Sequence, residues 1–351
     1  MAMAAIVNTS VLLQTPVFSQ TTLAPELKEA LIGWLWPQSG NQPHPHSVGD
    51  FDAYFTYFQQ QCGQGFREQH AMQSFSDLVL ILDTIRNSPS ASLVDIRSLV
   101  GDAKTALATD ERKLSASIEL AVRLWLMVNV RILMPTHRHD LEISIPWPDS
   151  QSLLDILRLH ISQPSDPSLS TTDNFSTYFN TVDMRNIVNF RVLWTSNLAE
   201  HLSVRGPHIY IFHQVSALKS LRCSVESLEF LPVDLIDETL ATLSLLMPHS
   251  MPTCNSWLRS EIVDAGLDHN IMYRETANRD KRGYPYWQER LCAMYETFER
   301  TKPSSPMQWW YDRRDMGQWW GFWLVVTGIF LTVIFGLIQS VTGILQVVKS
   351  G

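Results

Sequence analysis

No charged residue stands between Asp315 and Lys349, and within that interval Trp319–Ile338 supplies twenty residues whose interior hydroxyls are Thr327 and Thr332 alone. Nothing else in the chain so narrows what it can fold into. A helix rises ~1.5 Å per residue, so twenty residues cover the ~30 Å hydrocarbon core of a bilayer. A helix buried in a soluble core is the competing outcome, but such helices are usually shorter and keep a polar stripe. The pattern predicts one transmembrane helix over 319–340, followed by a short tail over 341–351.

The flanks of the span carry a second signal. Trp309, Trp310, Tyr311, Trp319, Trp320 and Trp323 crowd its N-terminal edge, where amphipathic rings favour the headgroup layer. Arg300, Lys302, Arg313 and Arg314 precede the span and only Lys349 follows it. The positive-inside rule then keeps the N-terminal body in the cytosol. So few residues follow the span that the expected arrangement is tail-anchored. The weak positive charge after the span favours the endoplasmic reticulum over the mitochondrial outer membrane. Gly328, Thr332, Gly336 and Ser340 repeat a small residue at every fourth position. That stripe lets two helices approach closely and predicts a homodimer through this face; the competing account is that such residues are simply common in membrane helices. The expected partners are therefore the lipid bilayer and a second copy of the chain.

The rest of the 351 residues suffice for one large domain or two ordinary ones. The net charge of −8 gives no broad attraction to nucleic acid, so none is expected as a partner. Cys62, Cys223, Cys254 and Cys292 form no C-x-x-C pair, which implies neither a zinc knuckle nor a disulfide framework. No positive charge occurs before Lys28, against a secretory signal. The expected fold class is mainly α with a small β element (α+β), ending in the single transmembrane helix. An N-terminal helix, "APELKEALIGWLW", and a flexible loop fill 1–50. A mainly helical cytosolic domain follows over 51–305, with a soft boundary near 161–176, and an interfacial aromatic and basic segment over 306–318. Segment 110–134 reads as the best helix of the body, stopped by Pro135. Phe190–Trp194 and His208–His213 read as strands flanking a short helix over Asn197–Leu202. Asn197 stands at a capping position with Glu200 three residues later, the capping-box spacing.

Candidate chemistry is sparse. His44 and His46, and His137, His139 and Asp140, offer loop ligands without an identifiable third partner, so no metal is expected. The sequence lacks a dinucleotide fingerprint, a Walker A loop, G-x-S-x-G and H-E-x-x-H, and no cofactor is expected. "WTSNLAEHL" places Asn197 and His201 four apart, just after Trp194. Two readings stay open for these three residues. They line a pocket in which His201 serves as acid or base, or they form a hydrogen-bonded network that holds a short helix onto a strand.

"LWTSNLAEHL", "IYIFHQVSALK" and the anchor "WWYDRRDMGQWWGFWLVVTGIFLTVIFGLIQ" resemble a large family of uncharacterised filamentous-fungal proteins. In that family a W-T-x-N-L-x-x-H-L element precedes an F-H strand, and a D-R-R-x-x-x-Q-W-x-x-F-W anchor closes the chain. Trp194, Thr195, Asn197, Leu198, His201, Leu202, Phe212 and His213 match the first part. Asp312, Arg313, Arg314, Gln318, Trp319, Phe322, Trp323, Leu331, Thr332, Phe335 and Gly336 match the anchor, and the resemblance covers roughly residues 100 to 351. It departs at Trp320, where the family pattern is variable or polar. The resemblance brings no activity with it. It implies only that some members are encoded within or beside gene clusters for specialised metabolites.

Two functions are therefore expected as alternatives. The first is a non-enzymatic, single-pass membrane protein whose cytosolic domain is an interaction or regulatory module with a cytosolic protein as partner. The second is an accessory protein or enzyme of a fungal specialised-metabolite pathway (alkaloid, terpenoid or polyketide), which binds or converts an apolar small molecule near Trp194, Asn197 and His201.

Overall fold

A computed structural model describes residues 11–19, 22–38, 47–132, 143–161, 163–165, 174–224, 227, 229–273 and 275–350. The chain is 64% helical, with a few strands in two small sheets, which is the mainly α architecture with a small β element expected from the sequence. Helix α1 (Pro25–Leu35) carries Pro25 in its first turn and buries Leu27, Leu31, Ile32 and Leu35 along one stripe. Helix α2 (Asp52–Gln61) turns Tyr54, Phe55, Tyr57 and Phe58 inward. Helix α3 (Phe75–Asn87) opens on a capping box between Ser74 and Asp77, and Lys104 adds an ion pair to the Asp77 carboxylate at 2.5 Å. Helix α4 (Leu93–Ala103) starts with the same device from Ser92 and Asp95. Both helices pack against α5 (Glu111–Leu126), the central helix of the body.

Helix α5 begins at a cap from Asp110, whose carboxylate accepts the N–H groups of Arg112 and Lys113. It ends eight residues before the sequence pattern does. Met127 adopts the left-handed conformation (φ +52°), and Val130–Arg131 forms a short strand, β1, parallel to β2 (Ile145–Pro146). Tertiary bonds cause the early stop. The carbonyl of Met127 accepts the N–H of Leu198 at 2.7 Å, and the N–H of Asn129 is taken by the Asn197 side chain at 3.1 Å. Helix propensity beyond Leu126 is overridden by contacts from seventy residues downstream. Tyr54 Oη and Trp36 Nε1 satisfy the carbonyls of Leu124 and Trp125 in the last turn.

Helices α6 (Leu153–His160) and α7 (Thr181–Val188) lead into the second sheet. Strand β3 (Arg191–Thr195) pairs in parallel with β5 (His208–Phe212), while β4 (Val204–Arg205) pairs antiparallel with β5, giving the order β3-β5-β4. Gly206, at φ +58°, allows the tight reversal between β4 and β5. Helices α8 (Val215–Cys223), α9 (Val233–Leu246), α10 (Pro252–Ala265) and α11 (Gln288–Arg300) complete the body. Along α11 the turn-spaced residues Leu291, Met294 and Phe298 are buried together with Trp287 at its start.

Helix α12 (Pro306–Tyr311) packs on α7, and α13 (Met316–Ser350) runs away from the body. Within α13, Met316–Gln346 is 31 residues with a mean hydropathy of 2.4, and none of its most apolar stretch is buried. This helix is long and apolar enough to cross a membrane. Its bare surface distinguishes it from a soluble core helix, which would be covered. An aromatic collar marks its start: Trp309 stacks on Phe322 with centroids 5.3 Å apart, and Trp310 meets Trp323 edge-on at 4.9 Å.

Candidate functional site

The strand–turn–strand element places Trp194, Asn197 and His201 within one small region but gives them different surroundings. Between the strands the chain makes a single 3-10 turn over Leu198–Glu200, not a longer helix. Asn197 caps its start and His201 closes its end, so the two do not share an α-helical face. Asn197 is committed on every side. Its Oδ1 accepts the N–H groups of Asn129 and Ala199, and its Nδ2 donates to the Ile143 carbonyl at 2.7 Å. It clamps the end of α5 to the sheet.

Glu200 does not complete the capping box. The N–H of Asn197 goes instead to Thr195 Oγ1. The Glu200 carboxylate accepts from Thr195 Oγ1 at 2.9 Å, from Ile143 N–H at 2.9 Å and from Arg205 at 2.8 Å. That arrangement satisfies a buried charge through an ion pair and two further bonds.

His201 is fully buried. Its Nδ1 accepts the Phe212 N–H at 3.2 Å, so Nε2 carries the proton and donates to Thr242 Oγ1 at 2.7 Å. Thr242 Oγ1 in turn donates to the Thr239 carbonyl at 2.6 Å, and Thr239 Oγ1 accepts from the Trp287 indole at 2.9 Å. The Trp287 ring lies edge-on to the imidazole at 4.9 Å. Arg290 donates to the carbonyls of Ala199 and His201. Burial first, and the Arg290 charge second, push the His201 pKa down to about 3. The ring is therefore neutral at neutral pH and joins the sheet to α9 and α11. Of the two sequence readings for His201, this geometry has the form of the hydrogen-bonded network.

A cleft of about 490 Å³ opens beside these residues. Trp194, Asn197, Ser196 and His213 line it, and His201 does not. Trp194 is fixed at its edge by an indole bond to Glu261 at 2.9 Å and by stacking on Trp257. Ser196 Oγ lies 3.3 Å from His213 Nε2 and accepts from Gln214 Nε2 at 3.0 Å. Burial lowers the His213 pKa to about 4. His213 Nδ1 and Gln214 Oε1 lack hydrogen-bond partners but are sealed from the cleft surface, so neither offers a ready contact to a ligand.

Ser196, Gln214, Thr242 and Arg290 escape sequence reasoning because no motif or spacing marks them. The parallel pairing of β3 with β5 brings Ser196 to His213, and neither strand specifies that partner alone. Among the described residues no group of three or more His, Cys, Asp or Glu side chains is placed to hold a metal ion. His44, His46, His137, His139 and Asp140 lie outside the described residues.

The anchor residues form a second site. Arg314 donates to Asp312 at 2.8 Å, to the Thr301 carbonyl at 2.7 Å and to the Phe298 carbonyl, with its guanidinium over the Phe298 ring. It ties the start of α13 to the end of α11. Arg313 instead lies over the Trp319 ring at 5.7 Å and stays exposed. Thr332 and Ser340 turn their hydroxyls onto the carbonyls of Gly328 and Gly336, which leaves a smooth ridge. No protein-family model matches the chain, and no curated protein or solved structure matches it.

Proposed function

We propose that this chain is a single-pass membrane protein whose body is a non-catalytic interaction or regulatory module on the cytosolic side, with the endoplasmic reticulum as its membrane. The observation that carries this reading is the Arg314 junction. A freely tethered domain needs no ordered link to its span, yet here one guanidinium bonds two body carbonyls and a carboxylate beside the aromatic collar. Such a junction holds the body at one attitude to the bilayer, which suits a surface that meets a partner protein. Orientation rests on the excess of basic residues before the span.

The test is alkaline carbonate extraction of membranes bearing the full chain, followed by protease treatment of sealed microsomes. Retention in the pellet with digestion of the body supports the reading. Release by carbonate removes the anchor, and protection of the body reverses the orientation.

The cleft beside Trp194 and Asn197 favours a second reading, an accessory role in a fungal specialised-metabolite pathway. Metabolite profiling of a deletion strain against a complemented control separates the two. Accumulation of one defined intermediate supports the pathway role, and an unchanged profile supports the module.

A further inference from the structure

A cavity of about 740 Å³, larger than the Ser196 cleft, lies between α8, α9 and residues of 270–273 and 275–285. Val215, Leu240, Leu243 and Ile271 contribute apolar wall, a composition suited to the body of a small organic molecule. One polar group on that wall is unusual. Glu238 is only 6% exposed, and its carboxylate is pinned by the N–H groups of Trp287 at 2.6 Å and Tyr286 at 2.9 Å. Those bonds fix its direction without supplying a counter-charge. Among the described residues no lysine or arginine forms an ion pair with it. Two cations line the same cavity: Arg222 is taken by Asp237 through two bonds of 2.6 and 3.1 Å, and Lys219, on α8, is not among the partners of Glu238.

Asp234 stands one helical turn before Glu238 on α9 and also lines the cavity. Burial, offset in part by the two backbone bonds and reinforced by Asp234, raises the Glu238 pKa to about 7. A buried carboxylate without a cation is costly, and a cationic ligand relieves that cost where a neutral or anionic one does not. The cavity thus combines an apolar wall with an oriented acid that, among the described residues, has no ion-pair partner.

We propose that this cavity binds a small amphipathic amine, with the ammonium held by Glu238 and Asp234 and the apolar body against Val215, Leu240, Leu243 and Ile271. The site is separate from the Ser196 cleft and from the anchor, so it stands or falls independently of how the chain meets the membrane. Protonation of Glu238 must weaken it. Asp234 on its own helix and Tyr284 and Tyr286 from the segment before α11 act on Glu238 directly, and Lys219, Arg222, Asp237 and Glu275 share the cavity wall with it. Both tyrosines are shifted upward and stay neutral between pH 6 and 8, so they do not mask the change.

The test is calorimetric titration of the full chain in zwitterionic nanodiscs, with empty nanodiscs as reference. Three probes share one apolar body: tryptamine (ammonium), tryptophol (hydroxyl) and indole-3-acetate (carboxylate). At pH 8 tryptamine is expected to bind one saturable site at least tenfold more tightly than tryptophol, with indole-3-acetate weakest. Lowering the pH to 6 should weaken tryptamine several-fold and leave tryptophol unchanged. Glu238→Gln should erase the preference for the amine.

That variant also touches the start of α11, so Ala241→Phe serves as the second arm. It fills the cavity, leaves the carboxyl in place and should abolish tryptamine binding, with thermal melts confirming that both variants fold. Equal affinity for tryptamine and tryptophol overturns the proposal. So does a preference for indole-3-acetate, binding that survives Ala241→Phe, or the absence of saturable binding.

Discussion

Both ring nitrogens of His201 are occupied, one accepting from the Phe212 backbone and one donating to Thr242, so truncating the ring strips two groups of their partners and opens a void under Trp287. His201→Ala is expected to destabilise the body by about 3–5 kcal/mol, the combined scale of a lost buried hydrogen bond and a core cavity. Urea unfolding measures it. A loss below about 1 kcal/mol would mean that the network carries little of the fold.

The same residue sets a pH dependence. Its pKa of about 3 in the folded chain lies below the ordinary histidine value of 6.5. The unfolded chain therefore binds the proton first, and the stabilisation from keeping the ring neutral is complete above pH 6.5. It falls as pH drops from there toward 3, with a limiting slope of about 1.4 kcal/mol per pH unit. His213, lowered to about 4, adds a slope of the same sign. Glu238 opposes them, because a carboxyl raised to about 7 loses stabilisation as pH rises from 4.5 toward 7. The difference between the wild-type chain and His201→Gln isolates one histidine: the stability gap should shrink by roughly that slope as pH falls from 6.5 to 4.5. A gap independent of pH would refute the burial of a neutral ring.

At the scale of elements, the anchor and most helices are legible because their evidence is local. The apolar run announces α13, Pro25 marks the start of α1, and the His208–Phe212 alternation marks β5. What resists reading is decided by distant partners. Helix α5 stops at Leu126 because Asn197 and Leu198 claim the backbone beyond it. The cap from Asn197 is readable in its own spacing, but Glu200 faces Arg205 and Ile143, which no local rule reveals. Helix α10 has its two ends written locally, Pro252 in its first turn and a left-handed stop at Gly266.

The Gly328–Ser340 ridge on α13 carries a prediction at this scale. If two copies meet there, Gly336→Leu should raise the dissociation constant about tenfold in a bilayer, near the 1–2 kcal/mol typical of such contacts. Energy transfer between labelled copies reads the change. Equal transfer in both proteins would show that the ridge is not an interface.

For the whole molecule, the question is where the body ends and the apolar helix begins. Composition places that boundary near 305, where the aromatic segment begins. The packing draws 306–315 onto the body, since α12 lies on α7 and Arg314 reaches back to Phe298 and Thr301. Two truncations separate these accounts. A chain ending at Asp315 keeps every one of those contacts and loses the bare helix with its half of the aromatic collar, so it should melt within a few degrees of the full chain in micelles.

A chain ending at Ser305 loses α12, Asp312 and the guanidinium that closes the end of α11. It should be less stable by about 2–4 kcal/mol, a sum of lost burial and charge-assisted bonds. Arg314→Ala in the full chain should reproduce about 1–3 kcal/mol of that loss and speed proteolysis between Thr301 and Met316. Equal stability of the two truncations would mean that α12 belongs to the membrane surface and only rests against the body. Attitude would then be set by lipid and not by Arg314, and the ordered junction would no longer support a body held at one angle for a partner.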